Sequence, residues 1–517
     1  MRRLALAALM LAVGVAAEAG TPRSAIPWLS ESVSEKFRGG DPKESGTEAG
    51  GALDVIESTP LSLINRDGVG IFSPASVGFP DDLWKNSSAL RIRRLILSHP
   101  YEGVPAAREV FRNLLTVHAA PPRGSSGRAL FFLARVDRLL EIGALDQARE
   151  LIEAAGINDP ETFRRYFDVG LLTGRAEAAC RTIQASPSLS PTLQARVFCL
   201  ARAGDWDAAA LTLSLGTQLG TIPLDQGELL TYFLDPGLFG DEEEPPLPQP
   251  LTALDFVLRE AVALPRPSEP LPLAFLQVDL SPAMPMRSRI VAGEKLVRSG
   301  AISAPRLFAS YRAGLPAASG GVWERARAVQ EADAAVNSGD EDRILRALSA
   351  VDDALSPFGL RNILASEYGG VLASLQPRPR SGSARRVFEL LALDGRADAA
   401  ERWQRGKPTS LERLSLALTT AGAIRLPPGI SLSPTEQAIV SGLSADTSPG
   451  PEGDRLYQLL MSGRPGEAIL GALALLAPGV EVDPGDLETA LFVLRAAGQQ
   501  NAARLIALQT LLMRPPT

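Results

Sequence analysis

The chain has 517 residues, enough for two to four ordinary domains or one long solenoid. Its 52 Lys and Arg face 59 Asp and Glu, a net charge of −7, and this mild acidity works against nucleic-acid binding, which needs a basic face to neutralise phosphates. Arg outnumbers Lys 47 to 5, a bias that GC-rich bacterial coding produces and that carries no mechanism.

The N-terminus reads as an export signal. Arg2 and Arg3 form a positive n-region, Leu4 to Ala17 is an uncharged apolar run, and Ala17-Glu18-Ala19 supplies the small-x-small pattern of a signal-peptidase site. The run is too short for a membrane span, which needs about 20 apolar residues. No cysteine follows it, so a lipid anchor is not expected. Residues 1–19 are therefore a signal peptide, and the mature chain is expected to begin near Gly20, in the periplasm or outside the cell, with no membrane span. Loss of Arg2, Arg3 and Glu18 moves the net charge from −7 to −8.

Residues 20–88 are rich in Ser, Gly, Pro, Asp and Glu and are expected to form a flexible, largely disordered tail. Three apolar islands interrupt it: Ile26-Pro27-Trp28-Leu29, Leu61-Ser62-Leu63-Ile64 and Val69-Gly70-Ile71-Phe72. They can dock on the protein's own body or on a partner.

From Leu83 onward apolar residues recur at three- and four-residue steps, as in Leu130, Leu133, Val136, Leu139 and Leu140, and period-two runs are almost absent. The expectation is an all-α chain. Within it a unit repeats: Leu, three residues, Gly, four residues, Ala. It occurs around Gly143, Gly204, Gly395, Gly463 and Gly498, and a sixth copy around Gly174 carries Gly170 in place of the Leu. The Gly is expected to end one helix in a left-handed conformation, and the Ala to let the next helix approach closely. Such a hairpin has an apolar face too wide to bury alone, so neighbours must stack on it.

This unit resembles the tetratricopeptide repeat. Phe132 and Phe163 fall eleven residues before their glycines, and Pro160 and Pro191 fall seventeen after Gly143 and Gly174. The small residue usual in the first helix of that repeat is replaced by Val136, Phe167 and Val197. The resemblance is good over 128–220, moderate over 384–512 and absent over 241–383. It implies a solenoid of helical hairpins that binds other proteins. Ile26-Pro27-Trp28-Leu29, Asp82-Leu83-Trp84 and Ser319-Gly320-Gly321-Val322-Trp323-Glu324-Arg325 are also similar to exported helical-repeat proteins of alphaproteobacteria, a likeness that implies no chemistry.

The resulting plan places TPR-like repeats at 89–240, an acidic Pro-rich linker at 241–250, an irregular helical region at 251–383 and further repeats at 384–517. In the irregular region helices are expected at Thr252–Val262, Met286–Arg298, Gly321–Val336, Asp340–Leu348 and Phe358–Ser374. One interrupted superhelix and two lobes joined at 241–250 fit equally well.

Catalytic, cofactor-binding and metal-binding residues are not found. His99 and His118 sit beside prolines with no second ligand nearby and read as exposed loop residues. Ser319 reads as the cap of a helix opening at Gly321. Asp81-Asp82, Asp352-Asp353 and Asp241–Glu244 read as solvated charge rather than as the paired carboxyls of a glycosidase. Cys180 and Cys199 fall on neighbouring antiparallel helices, and in an oxidising compartment a disulfide is expected if register allows; two buried thiols is the alternative. The reading is a non-catalytic periplasmic scaffold that binds an envelope protein of unknown identity, with no cofactor. Within binding proteins, a flagellar-motor or motility accessory is the alternative; in other classes, a cell-wall turnover enzyme or a structural spacer.

Overall fold

Six helices in this chain end at a left-handed repeat glycine, and the turns these make set the hairpin architecture. A computed structural model describes residues 26–30, 65–125, 127–240, 244–377, 382–404, 406–420 and 422–513. Among the described residues it is all-helical, and the only β pairing is two isolated bridges, Phe72 with Val117 and Ser88 with Arg123. The signal peptide and the island at 61–64 lie outside the described residues.

The first block comprises α1 (Ala89–Ser98), α2 (Pro105–Thr116), the hairpins α3/α4 (Leu130–Glu141, Leu145–Ala155), α5/α6 (Pro160–Leu172, Ala176–Ala185) and α7/α8 (Leu193–Arg202, Trp206–Gln218), and α9 (Leu224–Leu234). The middle holds α10 (Ala253–Ala261), a 3-10 stretch at Leu273–Leu280, α11 (Met286–Arg298), α12 (Ala304–Tyr311), α13 (Val322–Ser338), α14 (Glu341–Leu355) and α15 (Arg361–Ser374). The last block runs through α16 (Ala384–Leu393), α17 (Ala397–Arg402), α18 (Ser410–Thr419), α19 (Pro434–Ser444), α20 (Gly450–Met461), α21 (Pro465–Leu475), α22 (Pro484–Ala496) and α23 (Gln500–Leu512).

The six repeat glycines all take positive φ, between 69° and 84°. At each, the amide after the Gly donates back to the carbonyl of the repeat's first residue: Ala144 to Leu139 at 2.8 Å, Asp205 to Leu200 at 3.0 Å, Arg396 to Leu391 and Arg464 to Leu459 at 2.9 Å, Gln499 to Leu494 at 2.8 Å. This six-to-one bond closes the helix end and turns the chain. It uses only backbone, which is why the degenerate copy keeps it: Arg175 donates to Gly170 at 2.7 Å. The repeat alanines Ala148, Ala179, Ala209, Ala400, Ala468 and Ala503 are all fully buried. A further turn of this type lies where the repeat resemblance is absent. Gly300 has φ +70°, and Ala301 donates to Leu296 at 2.8 Å. Its alanine, Ala304, falls one residue early, which breaks the spacing of the repeat.

The hairpins do not form an open superhelix. The middle segment folds back on the first block: α10 packs on α5, and Gln277 Nε2 donates to the Gly143 carbonyl at 2.8 Å. Tyr101 Oη donates to the Ser299 carbonyl at 2.6 Å. The chain then closes on itself, with α23 packed on α2 and α21 on α1. Trp84 is buried at this seam against Phe131 and over Gly466, where a Cβ would lie 2.1 Å from the indole. Leu83 accepts from the Gly466 amide at 3.2 Å, Gln509 Oε1 accepts from the Ala106 amide at 2.8 Å, and the buried Glu467 pairs with Arg91 and Arg464. One hydrophobic core takes in residues on both sides of 241–250, and α10 packs on α9. In the described part of that break Pro245 is buried, and its carbonyl accepts from Arg259 at 3.3 Å.

Residues 65–88, expected as tail, are packed into the body, and so is one island from farther upstream. Trp28 stacks edge-on against Phe275 with ring centroids 5.3 Å apart, and its carbonyl accepts from the Ala253 amide. Ser30 donates to both oxygens of the buried Asp168, at 2.8 and 2.6 Å, and Arg164 donates to the Ser30 carbonyl at 3.0 Å. Ile26–Ser30 thus docks on the protein's own body. The second described island pairs with the end of α2: Ile71 donates to Thr116 at 2.7 Å and His118 to Phe72 at 2.8 Å.

Three expectations need correction. His99 is buried and stacks on Phe111 with centroids 4.4 Å apart, because the chain closes over it; His118 is exposed. Ser319 caps nothing: the helix begins at Val322, with Gly321 at the cap position in a positive-φ conformation. Asp352 lies within α14, buried, paired with Arg361 at 3.1 Å and Arg386 at 3.2 Å, so the helix continues past Leu348 to Leu355.

The disulfide forms: Cys180 on α6 and Cys199 on α7 are bonded, with Cα atoms 5.1 Å apart. Replacing both cysteines by alanine is expected to lower stability by about 3 kcal/mol, since the bridge restrains the unfolded chain; denaturant midpoints measure it, and an unchanged midpoint contradicts it. Gly204→Ala meets no atom within 4 Å, so it is expected to cost only the left-handed backbone term of about 1–2 kcal/mol. Gly143→Ala places its Cβ 2.9 Å from Leu296 Cδ2 and 3.3 Å from the Leu273 backbone, so it is expected to cost about 1–3 kcal/mol more through overpacking. Equal losses for the two would mean that the returning segment does not press on that turn. Trp84→Ala at the seam is expected to cost about 3–5 kcal/mol.

Candidate interaction surface

Several buried ionisable groups in this protein are paired in ways that join helices. Glu294 on α11 receives Arg325 at 2.6 and 2.8 Å and Tyr311 Oη at 2.8 Å, tying α11, α12 and α13 together. Asp137 and Arg165 link α3 to α5 at 2.6 and 2.9 Å. Arg361 bridges Asp352 and Glu389. Burial raises the Asp168 pKa to about 6 against the opposing Ser30 bonds and arginine charges, and this carboxyl is covered by the docked turn at Ile26–Ser30. Burial, together with the charge of Arg138, lowers the His99 pKa to about 4, so the imidazole is neutral at ordinary pH. No group of three or more His, Cys, Asp or Glu side chains is placed to hold a metal ion among the described residues.

The feature that packing leaves unexplained is apolar. Asp205 caps α8, accepting from the Ala208 amide at 3.3 Å. The inward face of the helix is Ala209, Leu213 and Gly216, at spacings of four and three. Gly216 is required there, since a Cβ would stand 2.5 Å from Ile222 Cδ1. The opposite face carries Leu211, Leu215 and Leu219, 62%, 50% and 75% exposed, in one row at i, i+4 and i+8. Trp206 is 51% exposed at the start of the helix, and Leu224, 80% exposed, follows its end. No charged residue occurs from Ala208 to Leu224. The outward faces of other helices differ: α13 presents Glu324, Arg327, Glu331 and Asp333 along its length.

A separate groove of about 460 Å³ reaches the start of α8, lined by Leu171, Phe198, Trp206, Phe233 and Val257, with Arg202 as its charged residue. The repeat geometry creates it. The Gly174 turn ends α5 at one edge, while α9 and α10 stand across from it. The Cys180–Cys199 bridge joins α6 to α7. Aromatic walls and a single cation suit the apolar face of an amphipathic helix.

Of the residues singled out from sequence, the structure brings the cysteines together and sets Gly174 at this groove, whereas Gly143 and Gly204 serve other turns of the first block and Gly395, Gly463 and Gly498 serve turns of the last block. The leucine row was not singled out by the repeat pattern, because that pattern registers inward residues only. The available signal was the uncharged stretch 208–224. No protein-family model matches the chain, and neither a curated protein nor a solved structure shows significant similarity to it.

Proposed function

We propose that this protein is an exported, non-catalytic scaffold of the bacterial envelope, and that it holds an amphipathic helix of another envelope protein on the outer face of α8. One observation carries the reading: a row of exposed leucines on a helix whose partner-facing side has no charge. Contiguous apolar surface of this kind costs solubility and marks an interaction site on an otherwise polar protein. A partner helix with leucine-type residues at three- and four-residue spacing would cover it ridge into groove. Export is supported by the N-terminal signal pattern, by the disulfide, and by the lack of any described helix long and apolar enough to cross a membrane.

The test replaces Leu211 and Leu215 by aspartate. Both are exposed, so the double variant is expected to keep its helical circular dichroism and lose less than about 1 kcal/mol of stability. A photoreactive amino acid at position 215 in the otherwise natural protein is expected to crosslink, in cells, to an amphipathic helical segment of one envelope protein, and L211D within that protein to abolish the product. Crosslinks spread over unrelated proteins, or unchanged by L211D, would overturn the reading. A concentration-dependent dimer in light scattering, abolished by the double substitution, would replace the partner helix by a second copy of this chain.

A further inference from the structure

Many partly buried arginines in this protein are placed against specific acceptors, and Arg108 is not. Arg108 and Arg112 lie four residues apart on α2, so they share a face of that helix. Arg112 is fixed: it donates to Tyr101 Oη at 3.0 Å and reaches the Ser299 carbonyl at 3.5 Å. Its guanidinium occupies the space where Gly300 has no side chain, since a Cβ there would fall 1.8 Å from Nη1. Arg298, at the end of α11, is held by the Glu294 carbonyl at 3.1 Å. The half-buried Arg108 has no hydrogen bond or ion pair from its guanidinium to any described residue.

These groups line one cavity of about 470 Å³ between α2, α11 and the start of α12. Arg306 enters from the far side. Against these four arginines the lining offers two carboxylates, Glu109 and Asp146. Asp146 is already shared between Arg175 at 3.2 Å and Arg306 at 3.4 Å, and Glu109 is exposed. The cavity therefore holds an excess of positive charge in a protein whose net charge is −7. Burial, then the nearby charges of Arg112 and Arg298, oppose protonation of Arg108, an effect partly offset by Tyr101. A guanidinium in this position gains by acquiring an anion, and paired N–H groups match the oxygens of phosphate or carboxylate.

We propose that this cavity is a binding site for a small oxyanion carrying two or more negative charges, with Arg108 as its primary ligand and Arg112 as the preset second. The volume accommodates a diphosphate or a tricarboxylate and is within the range of small-molecule sites. The site is separate from the leucine face of α8, and neither reading depends on the other.

Pyrophosphate and citrate serve as probes, with sodium chloride at matched ionic strength as the control. One or both are expected to raise the melting temperature and to give saturable calorimetric binding; the more effective probe identifies phosphate or carboxylate as the recognised group. Arg108→Gln is expected to fold normally, to melt at the same or a higher temperature without ligand, and to bind at least tenfold more weakly. Arg108→Lys should retain part of the affinity. Melting shifts no larger than those of matched chloride would overturn the proposal. So would binding that survives both R108Q and R112Q, which would place the anion elsewhere.

Discussion

A stack of helical hairpins leaves an uncovered apolar face at each end, and the need to cover those faces organises this molecule. The first block and the last block solve it mutually: α23 lies on α2, and α21 lies on α1. The contact is specific because Gly466 lets Trp84 approach the α21 backbone and because buried Glu467 is matched by two arginines. The middle segment solves a second instance by returning over α5 and the Gly143 turn, with Trp28 inserted beside Phe275. Once these faces are paired, the outer side of α8 still carries three exposed leucines in one row, and they are conspicuous for that reason.

Much of the local structure was legible in the sequence, because the signals involved are backbone signals. A Gly that must take positive φ, and an Ala that must admit a neighbouring helix, act within ten residues, and all six repeat glycines take the left-handed conformation. The middle helices near 253–261, 286–298, 322–338 and 361–374 followed from apolar periodicity in the same way. Helix α12 was missed: it spans eight residues and opens Ala304-Pro305, a pair that reads as a break although Pro is well suited to a first helical turn. The 3-10 stretch Leu273–Leu280 has no periodicity to find and is held by tertiary contacts.

What was not legible depends on groups far apart in the chain. Asp352 reads as solvated charge until Arg361 and Arg386 are seen beside it. His99 reads as a loop residue until the last block closes over it. Residues 65–88 read as tail, since their composition is that of a tail; they are ordered because Asp67 accepts from the Phe132 amide at 2.8 Å and Trp84 finds the seam. The candidate interaction face was hidden for a converse reason: Leu211, Leu215 and Leu219 become informative only when the packing shows them exposed together on one side of α8.

The arginines show how distinct roles arise from one side chain. Arg135 is fully buried without a carboxylate partner, yet it donates to the carbonyls of Leu115, Val117, Asp67 and Val69, at 2.6 to 3.4 Å. Those carbonyls belong to loop ends that no helix satisfies, so the guanidinium replaces a missing strand ladder and binds the 65–69 segment to the first block. Burial lowers its pKa to about 10, with Asp67 opposing, and it stays charged at any ordinary pH. Arg504 acts in the same manner on the end of α18, gathering the carbonyls of Ala417, Leu418 and Thr420. Both cations are therefore spent on structure. Arg108 has the same chemistry and partial burial but no carbonyl or carboxylate to receive it, and two of its neighbours are cations. An arginine that served only to hold helices together would be placed as Arg135 and Arg504 are; one that faces a cavity beside like charges is arranged to receive something the chain itself does not supply.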